Sequence, residues 1–155
     1  MSTNPYPRGG ASLVVKNPHD YVPNREGDAD GSVMVGEALT RTADGFEAGA
    51  EDGARFPLFA GIPFDPEKTK GDEYDDGERM KILVALPGMI LDLVYAAGED
   101  ITENAFVVLD DEGRLREYDD TDGDVPADIF GQAAEDVDTT AGGTDGPANF
   151  NVEVF

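Results

Sequence analysis

Apolar residues along this chain arrive in short runs, and turn-forming pairs separate the runs. From Ser32 onward the pairs Asp44-Gly45, Asp52-Gly53, Pro87-Gly88, Glu112-Gly113, Asp122-Gly-Asp124 and Gly142-Gly143 bound stretches such as Lys81-Ile-Leu-Val-Ala-Leu86 and Ala105-Phe-Val-Val-Leu109. Strand-sized runs between glycine and aspartate turns are the pattern of sheets. Alternation with period two is clearest in Phe106-Val-Val-Leu109, in Arg114-Leu-Arg-Glu-Tyr118, and in the closing Phe150-Asn-Val-Glu-Val-Phe155. Asp110-Asp-Glu-Gly113 between the first two predicts a hairpin turn. The apolar stretch Ile82 to Ala97 contains Pro87-Gly88, and a proline there would break a helix. It therefore predicts two strands joined by a tight turn and serving mostly as core. Helical periodicity is weak, with Pro126-Ala-Asp-Ile-Phe-Gly131 the candidate for a short helical turn. The fold class predicted is mainly β, a β-sandwich or a β-barrel-like domain.

Residues 1–31 are dense in Pro, Gly, Asn and Asp around a single apolar run, Leu13-Val-Val15, and predict an extended N-terminal arm. Residues 32–155 then form the β domain. An internal echo runs through it. Val35-Gly-Glu-Ala-Leu-Thr40 resembles Ala97-Gly-Glu-Asp-Ile-Thr102, and the two Gly-Glu pairs lie about 62 residues apart. Two readings are open: chance likeness in a biased composition, or a two-fold internal β repeat with halves at 32–96 and 97–155.

Charge changes the picture most. The 155 residues hold 34 Asp and Glu against 11 Lys and Arg, a formal net charge of −23. Lysine occurs only at Lys16, Lys68, Lys70 and Lys81, and the acidic residues spread from Asp20 to Glu153. At molar salt the Debye length falls to about 3 Å, so such a surface no longer repels itself and keeps its hydration. The composition is that of a halophilic protein. High charge is also a mark of disorder, but 39% hydrophobic content in strand-sized runs argues for a folded core. The chain has no cysteine, which excludes disulfides and thiolate metal sites. Residues 1–10 lack the apolar segment of a secretory signal, and Ile82–Ala97 falls short of the roughly 18 unbroken apolar residues of a membrane helix. No membrane association is expected.

The candidate chemistry is thin. His19, the sole histidine, sits in Asn17-Pro-His-Asp20 without a nucleophile signature nearby, and reads as a surface loop residue. Asp120-Thr-Asp-Gly-Asp124 and Asp28-Ala-Asp-Gly31 bring carboxylates close enough to suggest a hard cation. The twelfth position from Asp120 is Gly131, however, where an EF-hand needs a glutamate. Both read as solvated acidic turns. Gly142-Gly-Thr-Asp-Gly146 lacks the lysine of a phosphate loop. Only Arg114 and Arg116 cluster, too few for a nucleic-acid footprint, and they are expected to flank a strand edge or to pair with carboxylates of a neighbouring subunit. No catalytic, cofactor-binding or metal-ligating residue is assigned, and the protein is expected not to be an enzyme.

Residues Ala97 to Arg116, with Phe130-Gly-Gln-Ala-Ala-Glu-Asp-Val137 and Asn149-Phe-Asn-Val-Glu-Val-Phe155, resemble the small head decoration (capsid cement) proteins of tailed viruses. The composition narrows that resemblance to a haloarchaeal type. It covers residues 97–155, with a weaker echo over 35–86. The resemblance implies a virion protein, assembled in the host cytoplasm, that sits on the outer capsid surface. There it would bind and stabilise the major capsid protein, often as a homotrimer, without cofactor or nucleic acid. The alternative from the residues is a halophilic host-cell β-domain binding module, or a non-catalytic subunit of a larger complex.

Overall fold

The computed structural model describes residues 13–19, 24–50, 57–62, 72–138 and 148–155. In chain order its strands are β1 (Val14–Lys16), β2 (Asn24–Asp28), β3 (Val33–Met34), β4 (Ala38–Arg41), β5 (Phe46–Ala48), β6 (Leu58–Ala60), β7 (Glu73–Tyr74) and β8 (Arg79–Val84). They continue as β9 (Ile90–Tyr95), β10 (Asp100–Ile101), β11 (Phe106–Leu109), β12 (Leu115–Glu117), β13 (Ile129–Ala133), β14 (Val137–Asp138) and β15 (Ala148–Val154). Two 3-10 turns, Asp120–Asp122 and Pro126–Asp128, are the helical elements among the described residues, and neither is long enough to cross a membrane. The mainly β, barrel-like fold expected from the pattern is the one observed.

The strands build two five-stranded barrels of the same design. The first runs β2-β8-β6-β4-β5 and closes through a parallel bridge between Ala29 and Phe46. The second runs β9-β15-β13-β11-β12 and closes through a parallel pairing of Leu115 with Tyr95. Each carries a two-stranded flap, β3–β7 in the first and β10–β14 in the second.

Pairing register matches throughout. Ala38 faces Phe59 as Phe106 faces Gln132; Leu58 faces Val84 as Gly131 faces Val154; Asp28 faces Arg79 as Val94 faces Asn149. The ladder ends agree as well: the Gly36 and Asn104 amides donate to the carbonyls of Ala60 and Ala133.

The repeat thus spans 24–84 and 90–154. Its register differs from the sequence echo: Gly36 corresponds to Asn104 and not to Gly98. Within the 1–31 segment expected as an arm, the described residues contribute β1, which pairs with β9 of the second barrel, and β2, a wall of the first barrel.

Why β2 is a strand is not visible in its own composition, Asn-Arg-Glu-Gly-Asp. Only Gly27 is buried. A side chain there would fall on the Phe46 ring. In the second barrel the two corresponding positions hold Leu93 and Leu115, so a glycine–phenylalanine pair fills the space that two leucines fill elsewhere. Gly27→Leu is expected to destabilise by about 1–3 kcal/mol through overpacking. Adding Phe46→Leu should restore most of that loss, and a double-mutant cycle on thermal melts checks the coupling.

One continuous core joins the barrels. It includes Phe59, Met80 and Ile82 from the first and Leu91, Leu93, Ile101, Val107, Leu115 and Phe150 from the second. β8 and β9 are the two strands expected across Ile82–Ala97, but they belong to different barrels and do not pair with one another. Between them Leu86-Pro87-Gly88-Met89 forms a turn in which the Met89 amide donates to the Leu86 carbonyl, with Gly88 at φ 87°. Proline followed by a left-handed glycine is what a type II turn favours.

Candidate interaction surfaces

The joint between the barrels is built from the turn at 35–37 and the β11–β12 hairpin. The Glu112 and Arg114 amides both donate to Oδ1 of Asp110, and these hydrogen bonds shape that hairpin. Its tip lies against the first barrel, where the Ala38 amide donates to the Gly113 carbonyl over 2.7 Å. The Val94 amide donates to the Gly36 carbonyl over 3.3 Å. Phe59 and Phe130 stack across the joint with ring centroids 5.4 Å apart.

Glu37 is the buried charged residue among those described, 4% exposed. Its Oε1 accepts from Nη2 of Arg114 at 3.2 Å, and Arg114 also pairs with Glu112 at 3.1 Å. Burial pushes the Glu37 carboxyl above the ordinary range, against the pull of Arg114. A charged pair enclosed this way fixes how the barrels sit but is costly if split.

Both arginines of the sequence cluster pair with carboxylates of this chain. Arg116 holds Asp124 in a fork, with both N···O distances 2.6 Å. That contact, together with a hydrogen bond from the Asp119 amide, draws the Asp124 carboxyl down to about 2. A carboxyl depressed in the fold contributes stability that is complete above its unfolded value and lost as pH falls through the folded one. Native protein is expected to lose stability between about pH 4 and pH 2, and Arg116→Ala should flatten that part of the profile in acid-titrated melts.

The acidic turns are hydrogen-bonded structure. Asp119 caps the first 3-10 turn by accepting from the amide and hydroxyl of Thr121, and Asp28 pairs with Arg79 at 3.1 Å. Among the described residues no group of three or more His, Asp or Glu is arranged to hold a metal ion. His19 is exposed and its Nε2 lies 2.8 Å from the Pro87 carbonyl. Ile82 to Tyr95 is core, with Ile82, Leu83, Ala85, Met89, Leu91, Leu93, Val94 and Tyr95 buried, so its apolar content is not a docking face.

The exposed apolar side chains lie elsewhere. Phe106 and Phe155 are 45% and 53% exposed and stack edge to face with centroids 5.9 Å apart. The Tyr118 amide donates to the Phe106 carbonyl, which makes the half-buried Tyr118 the cross-strand neighbour of Phe106. Alternation along β15 and β11 predicts which side chains leave the barrel. It does not tell which outward face is covered, and that missed feature has no local signal.

Geometry of this kind defines a tandem β-barrel fold with aromatic side chains exposed on the second barrel. The fold is similar to that of the N base of head fiber gp8.5 of bacteriophage phi29, known from its crystal structure. The two share 15% identity with a TM-score of 0.54, over 87% of this chain and 95% of that one. No protein-family model and no curated protein matches the sequence.

Proposed function

We propose that this is a structural virion protein, carried on the outer surface of a viral head through contact with the major capsid protein, which it stabilises. The observation that carries the reading is the tandem-barrel fold, similar over nearly all of both chains to the base of a phage head fiber. The decoration-protein resemblance of residues 97–155 points the same way from sequence. The formal net charge of −23 suits a particle assembled and released at molar salt, and supports a haloarchaeal virus as its source. Its role is non-catalytic and its working state a homo-oligomer, with a trimer favoured by the resemblance.

The test is rebinding. Purified particles lacking the protein are mixed with it in high salt and separated by size. Saturable occupancy and a higher particle melting temperature are expected. A protein that ignores the particles would instead fit a host-cell binding module.

A further inference from the structure

The repeat allows one barrel to be read against the other, position by position. On the first barrel, the outward face carrying Ala38, Gly49, Phe59, Leu83 and Ala85 is buried throughout. The hairpin of the second barrel covers it: a side chain at Gly113 would strike the Ala38 carbonyl and come within 2.9 Å of the Gly49 nitrogen, and Phe130 stacks on Phe59. The register puts Phe106, Tyr118, Gln132, Glu153 and Phe155 at the corresponding places of the second barrel. There the same face is open, and its small residues have become aromatic.

The covering element also has a free counterpart. The β4–β5 hairpin, whose Thr42 amide bonds the Gly45 carbonyl, corresponds to the β11–β12 hairpin, and its tip residues Ala43 and Asp44 are exposed. Among the described residues, each chain therefore offers an exposed face on the second barrel and an exposed hairpin on the first. We infer that copies of this chain associate head to tail, the β4–β5 hairpin of one copy seating on the Phe106–Tyr118–Phe155 face of the next.

A heterologous contact of this sort closes into a ring when its rotation permits. The aromatic trio supplies the centre of the contact, and Gln132 and Glu153 its polar margin. Those polar residues, where the first barrel has Phe59 and Leu83, make the contact weaker than the joint within the chain. The inference stands on the two barrels and does not depend on attachment to a viral head.

The chain has no cysteine, which makes a directional test clean. Light scattering over a dilution series in high salt should show wild-type oligomers. F106S/F155S should self-associate at least tenfold more weakly while keeping the wild-type circular dichroism spectrum. A bismaleimide should link A43C chains to Q132C chains when the two are mixed, and should link neither variant to itself. A monomeric wild type, an oligomer indifferent to F106S/F155S, or cross-linking within either single variant would overturn the inference. So would a double variant that keeps its oligomer but no longer rebinds particles, since the face would then belong to the capsid protein. Should F106S/F155S fail to fold, the cross-linking of A43C with Q132C decides alone.

Discussion

Gly113→Ala is expected to lower the melting temperature by roughly 10 °C, corresponding to about 3 kcal/mol for a chain of this size. Two causes add. Gly113 has φ 78°, a conformation that costs any L side chain about 1–2 kcal/mol. The new methyl would also strike the Ala38 carbonyl, which is backbone and cannot swing aside. Because the clash lies between barrels, hydrogen exchange should quicken at the Ala38 amide, whose acceptor is Gly113, before it does inside either barrel. Exchange that quickens equally everywhere would show that the hairpin tip is no special joint. Glu112→Ala, at an exposed position of the same hairpin, is the control and should change stability by less than about 0.5 kcal/mol.

Arg114→Met comes second, with a loss of about 3 kcal/mol at neutral pH, because it strands the Glu37 carboxylate in a buried place. The pH dependence identifies the cause. Burial already holds the Glu37 carboxyl above 4.5, and removing Arg114 raises it further. A carboxyl raised in the fold favours folding at low pH, and stability falls as pH climbs from the unfolded value through the folded one. The deficit of Arg114→Met relative to wild type should therefore shrink on acidification from pH 7 toward pH 4.5. Adding Glu37→Gln should remove most of the deficit together with its pH dependence. A deficit equal at both pH values and untouched by Glu37→Gln would mean that Arg114 acts through packing of its stem alone.

Much of the second barrel was legible in sequence, and less of the first. Phe106–Leu109, Arg114–Tyr118 and Phe150–Phe155 alternate because one side of each faces the barrel interior, and the hairpin at Asp110–Gly113 follows from its turn residues. β2 has no such pattern, since its buried position is a glycine and the bulk that fills the space belongs to Phe46. Its strand character comes from five paired residues of β8, which are remote in sequence.

The repeat is blurred for a related reason. What the halves share is hydrogen-bond register, and register constrains the backbone while leaving residues free to exchange. Gly27 against Leu93, Ala38 against Phe106 and Phe59 against Gln132 retain nothing that a comparison of letters detects. The Glu37–Arg114 pair was equally hidden, because only the packing of one barrel on the other brings those residues together.

The spacing between corresponding residues also marks where the two halves differ in length. Asn24 and Ile90 are 66 apart and Ala38 and Phe106 are 68. Phe46 and Leu115 are 69 apart, Leu58 and Gly131 are 73, and Leu83 and Glu153 are 70. The changes fall between strands, apart from the register shift between Val107 and Val108 in the β11–β13 ladder. The largest step lies between β5 and β6, where the second barrel carries two 3-10 turns around Asp124 and a register shift in the β11–β13 ladder that follows. That connection differs most in length between the two barrels, which makes it the natural place to insert a foreign peptide.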